Sequence, residues 1–170
     1  ATRIASAADV RMLTQSRLAT NISNGIIHAF KEYDASEIIM GLHNKRSETD
    51  KFWGLFTPNL VNSLNRQIIL CRCNRPLNTL RRIVVAIPSR VEFEQGFYRW
   101  IERLARLAEN LGCRIVFHGR IESTALINEY IRNQHPGVRA EYVLMEHWKE
   151  FPQLAEDLSG DHMLVVITAR

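Results

Sequence analysis

The sequence has no apolar run near the roughly 18 residues needed to span a bilayer, and no signal peptide. Direct insertion of this segment into a membrane is therefore excluded as an expectation. Cysteine is scarce: Cys71, Cys73 and Cys113 are an odd set without C-x-x-C spacing, which argues against a disulfide scaffold or a zinc site. Cys71 and Cys73 read as neighbours on one face of a strand, and reduced thiols fit best. No G-x-S-x-G, H-E-x-x-H or P-loop lysine pattern occurs. Six histidines are dispersed, no carboxylate pair stands out, and the sequence offers no catalytic residue and no metal ligand set. Charge of one sign is missing too. The 22 Lys and Arg against 18 Asp and Glu leave +4 and are interspersed, so nucleic acid is not an expected partner.

What is present is alternation. In 170 residues, 46% of them hydrophobic, short apolar runs alternate with amphipathic stretches. Residues 1–8 read as a helix tail and Val10–Thr14 as a short strand. Ile22, Ile26, Phe30 and Tyr33 give a helix over about 23–33, capped by Asn21 or Ser23, with His28 off the stripe. Ile38-Ile39-Met40 running into Gly41 reads as a buried parallel strand. A polar, partly basic loop follows, then Thr57-Pro58 opens a helix and Ile68–Cys71 forms a strand. Residues 73–80, with Pro76 and two asparagines, are a linker.

Arg82–Ile87 starts a second series and Pro88 stops it. Phe93, Phe97, Trp100, Leu104, Leu107 and Leu111 predict one helix over Glu92–Leu111, closed by Gly112. Glu102 and Arg106 stand in the favourable i,i+4 order. Cys113–His118, Glu141–Met145 and His162–Thr168 read as strands, with helices over about 124–133 and 148–158. The halt at His135-Pro136-Gly137 is a helix stop, and Glu146-His147-Trp148 reads as a loop cluster without a partner. Strands and helices in this order imply an α/β fold, an open parallel sheet with helices on both faces.

A strand, a glycine-bearing loop and a helix start place free N–H groups where α/β folds hold phosphates. In 37–72 those residues are Gly41, His43, Asn44, Lys45, Gly54 and Thr57, with Phe52, Trp53 and Phe56 beside Gly54 for stacking or packing. His43 and His118, both at strand ends, are the two histidines that could face one cleft.

This stretch resembles the end of a universal-stress-protein domain, which carries glycine, two residues, glycine, nine residues, glycine, then serine or threonine. Gly41 and Gly54 match; Asn44 replaces the second glycine and Leu55 the hydroxyl residue, with Thr57 nearby. The resemblance implies a Rossmann-like sheet of strand order 3-2-1-4-5 and tandem offset units. Residues 1–72 would be the C-terminal part of a first unit, and residues 81–170 a second, truncated one. It further implies an adenine nucleotide, ATP or AMP, as the ligand in binding members. Where the family has a nucleotide-contacting aspartate after the first strand this chain has Pro88, and Val166 takes the place of a loop glycine.

More narrowly, GIIHAFKEYDASEIIMGLHNK, FWGLFTPNL and PLNTLRRIVVAIPSRVEFEQGF resemble the cytoplasmic tail of bacterial sodium/proton antiporters. The chain starts with Ala and closes on a strand-like run, and so is expected to be an excised segment of a longer protein. The resemblance implies a non-catalytic regulatory domain at the cytoplasmic face of the inner membrane, as part of an integral membrane protein. Its partners would be the transmembrane portion of the same polypeptide and a second copy in a homodimer. The alternative is an adenine-nucleotide-binding universal stress protein, a sensor or slow hydrolase.

Overall fold

A computed structural model describes residues 2–7, 9–41, 57–64 and 66–168. His43, Asn44, Lys45, Gly54 and Leu55, and the aromatics Phe52, Trp53 and Phe56, lie outside the described residues; of Thr57 only the backbone is described. The chain divides into two compact units, residues 1–72 and 73–170. The architecture is α/β with parallel strands throughout.

The first unit runs α1 (Thr2–Ala7), α2 (Ile22–Glu32), β1 (Glu37–Gly41), α3 (Thr57–Ser63) and β2 (Gln67–Cys71). Asn21 caps α2 by accepting the Asn24 N–H at 2.8 Å, which satisfies a donor the helix cannot. Strands β1 and β2 pair in parallel, Ile39 opposite Ile69. Ile39 is 67% exposed, so β1 is parallel but not buried on both faces.

The expected strand at Val10–Thr14 does not form. Residues 10–19 have no regular structure, and their apolar side chains Val10, Met12, Leu13 and Leu18 are exposed. Alternation alone makes no strand without a neighbour to take its backbone groups. The Val10 N–H instead bonds the Ala5 carbonyl at 2.9 Å, and the Arg17 guanidinium binds Glu32 of α2 at 2.7 Å. Cys73 is also not a strand neighbour of Cys71: β2 ends at Cys71, and Cys73 is exposed.

The second unit runs β3 (Arg82–Ala86), α4 (Phe97–Leu111), β4 (Arg114–Gly119), α5 (Ile121–Gln134), β5 (Ala140–Leu144), α6 (Phe151–Glu156) and β6 (His162–Val166). The sheet order is β5-β4-β3-β6. Alternate residues of β3 feed two cores. Ile83, Val85 and Ile87 pack with Ile115, Phe117, Phe97, Ile101, Ile127 and Ile131, beneath α4 and α5. Val84 and Ala86 pack with Leu154 of α6. The chain moves outward from β3 to β4 to β5 with its helices on one face, then returns past β3 to β6. With crossover handedness kept, that reversal sends α6 to the opposite face.

Two helices differ from the periodicity. The apolar spacing from Phe93 to Phe97 is not helical: Val91–Phe93 is a 3-10 turn, Arg90 before it has φ 65°, and Phe93 is 82% exposed. Helix α4 starts only after Gly96. The expected helix over 148–158 splits into a 3-10 turn at Trp148–Glu150 and α6, because Pro152 has no N–H to continue a preceding helix but suits the first turn of a new one. Gly112 closes α4 in the left-handed region, φ 62°. No described helix is long and apolar enough to cross a membrane.

Candidate functional site

In open α/β sheets, side chains gather for ligands at the carboxyl ends of the strands. In the second unit a cleft of about 330 Å³ opens there, over the ends of β3, β4 and β5, lined by Ile87, Pro88, Ser89, Arg120, Met145, Glu146 and Trp148. Pro88 follows β3 and offers no N–H, so the strand cannot extend past it. Gly119 ends β4 against Ile87: a Cβ at Gly119 would lie 3.1 Å from the Ile87 Cβ. The absent side chain lets the two strands close beneath the cleft.

Arg120 is the residue before α5, and its carbonyl accepts the Thr124 hydroxyl at 3.0 Å. Its Nε lies 3.5 Å from the Glu146 carboxylate and 3.7 Å from that of Glu122, without a hydrogen bond. One guanidinium is thus shared between two carboxylates, so the cleft has no surplus positive charge to attract an anion. The Trp148 ring stacks on Phe151 with centroids 5.2 Å apart and planes at 4°. His147 and Glu150 cap one another, the His147 N–H donating to Glu150 Oε1 at 2.8 Å. The Glu146-His147-Trp148 cluster therefore has partners, contrary to the sequence expectation.

His118 stands opposite Ala86, on the sheet face toward α6. Burial lowers its pKa, and Arg82 lowers it further, against the pull of Asp157. Its expected companion, His43, lies outside the described residues. Burial raises the Cys113 thiol, so this cysteine is a poor nucleophile.

Of the six residues of the sequence-derived loop, Gly41 is described fully: it ends β1 opposite Cys71, and among the described residues nothing lies within 4 Å of where its Cβ would stand. Pro88, Glu146 and Trp148 stand out in the sequence, but not as one site, because the cleft lining comes from three separate loops. The available signal was positional: the three segments follow the parallel strands β3, β4 and β5. Among the described residues no group of three His, Cys, Asp or Glu side chains is placed to hold a metal ion. Comparison with protein-family models gives no match, and comparison with curated proteins gives none.

Proposed function

We propose that this chain is a non-catalytic regulatory domain of a bacterial monovalent cation/proton antiporter, on the cytoplasmic side of the membrane and continuous with the transmembrane part. The observation that carries this reading is the second unit's sheet. Counted within the unit, β5-β4-β3-β6 is third-second-first-fourth, all parallel, which suits the first four strands of a universal-stress-protein-like unit. We read residues 1–72 as the end of a preceding unit of the same kind, and the assembly as a homodimer.

Non-catalysis fits the cleft. Pro88 stands where binding relatives of that family carry an aspartate, and Arg120 is already held between Glu122 and Glu146. A regulatory domain needs no chemistry of its own. It biases a transporter by binding a ligand or partner better in one state than in another. Transport in vesicles tests this: deleting residues 1–170 should change the pH or ligand dependence of exchange while leaving ion exchange itself. Unchanged dependence removes the reading.

A second reading, adenine-nucleotide binding at Gly41, is favoured by the place of that glycine at the carboxyl end of β1, where nothing among the described residues lies within 4 Å of its Cβ position. Calorimetry with ATP and AMP decides it; absence of heat at millimolar ligand eliminates it.

A further inference from the structure

The cleft of the second unit combines an apolar floor with a surplus of negative charge. Its volume of about 330 Å³ is at the small end of ligand pockets. Ile87 and Met145 are buried and, with Pro88, make the floor. Trp148 is 45% exposed and lines the cleft, while Phe151 covers one face of its ring. An indole left this open above an apolar floor is a surface on which an aryl or alkyl group settles.

The charges around it are mostly acidic. Segments 87–96, 120–122 and 145–150, which follow β3, β4 and β5, hold Arg90, Arg120 and Lys149 against five glutamates, a balance of −2 with His147 neutral. Glu146 reaches Arg120 through Oε2 at 3.5 Å, and Glu122 reaches it through Oε2 at 3.7 Å. Among the described residues the other oxygen of Glu146, Oε1, has no hydrogen-bond partner, and this side chain is 46% exposed. An anion entering the cleft meets the acidic surplus, and a cation is drawn by it. A carboxylate and an open indole lining one cleft are the two groups that attract an ammonium, the first by its charge and the second by its π face.

We propose that the cleft binds a small organic cation, an ammonium carried on an aryl or alkyl body. The ammonium sits between Glu146 and the Trp148 indole, and the body lies on Ile87, Pro88 and Met145. Arg120 does not have to leave. It is the residue before α5, and when the ammonium takes Glu146 the guanidinium keeps Glu122. A bare metal ion is a poor match, because the apolar floor offers it no oxygen. A phosphate ester is a poor match too, since its charge meets Glu122 and Glu146. This deepens the regulatory reading, on which it rests for its role: the cation is the ligand that biases the transporter.

The test is a titration of the whole 170-residue chain, labelled with nitrogen-15 and followed at the Trp148 indole N–H. That resonance is assigned by its loss in Trp148→Leu. The probes are phenethylamine, its uncharged counterpart phenethyl alcohol, and the anion phenylacetate, each raised to about 10 mM, the range suited to ligands of so few heavy atoms. The amine should bind about tenfold more tightly than the alcohol, about fivefold of it from the half-exposed carboxylate and about twofold from the indole. Phenylacetate should leave the resonance unmoved. Glu146→Gln, at a side chain 46% exposed, keeps the fold and should weaken the amine about fivefold without changing the alcohol. Equal affinity for amine and alcohol, a response to phenylacetate, an amine affinity unchanged in Glu146→Gln, or no response to the amine overturns the proposal. Such a failure leaves the regulatory reading standing, because that reading is decided by transport with and without residues 1–170.

Discussion

The Ser123 hydroxyl donates to the Glu92 carboxylate at 2.6 Å, joining the first turn of α5 to the 3-10 turn after β3. Ser123 is fully buried and Glu92 is half-buried. This bond fixes the segment between β3 and α4, which the apolar spacing assigned to helix. Ser123→Ala leaves a carboxylate without its donor, and such a loss costs about 1–3 kcal/mol. Urea unfolding should show a lower midpoint with an unchanged slope. A loss below about 0.5 kcal/mol would mean that water replaces the hydroxyl without penalty.

Gly112 and Gly119 should respond to alanine for different reasons. At Gly112 nothing among the described residues meets a Cβ but φ is +62°, so Gly112→Ala costs about 1 kcal/mol through backbone strain, and Gly112→Asn costs less. At Gly119 the backbone accepts a side chain, but the Cβ meets Ile87 at 3.1 Å, so Gly119→Ala overpacks the cleft floor by about 1–3 kcal/mol. Pairing Gly119→Ala with Ile87→Val should recover part of that loss, whereas Ile87→Val should do nothing for Gly112→Ala. Thermal unfolding of these variants distinguishes strain from crowding.

Much of the second unit is legible from residue pattern. Runs such as Ile83-Val84-Val85 and Ile115-Val116-Phe117 are continuous because both sheet faces are covered, and the strands fall there. What escaped were interactions between distant residues. Glu92 meets Ser123 across 31 positions and His135 meets Glu102 across 33, so His135-Pro136-Gly137 read as a helix stop and no more. The Val10–Thr14 strand failed for the same reason: five residues of suitable type do not specify whether a neighbouring strand exists. The cleft was illegible because no local motif links Ser89, Arg120 and Trp148.

Acid should act on the second unit through Glu102. In the folded chain its pKa is about 2 against an ordinary 4.5, led by the His135 hydrogen bond. A depressed carboxylate contributes stability above its unfolded value and loses it as pH falls from about 4.5 toward 2. Glu102→Gln removes that dependence. The variant should be less stable than the parent at pH 6, and its urea midpoint should fall less steeply between pH 5 and 2. Parallel acid limbs for the two proteins would show that Glu102 is not a principal source of the limb.

The nucleotide reading meets its sharpest check at Gly41. A Cβ there meets nothing within 4 Å among the described residues, and φ is not in the left-handed region, so Gly41→Val should fold as the parent does. A branched side chain at the strand end would nevertheless stand between the backbone and any phosphate approaching it. If ATP or AMP binds at this loop, calorimetry should give heat with the parent chain and none with Gly41→Val, while unfolding midpoints of the two stay within about 0.5 kcal/mol. Binding retained in Gly41→Val would move the nucleotide elsewhere in the chain. Binding absent from both would leave the regulatory reading without an adenine nucleotide as its ligand.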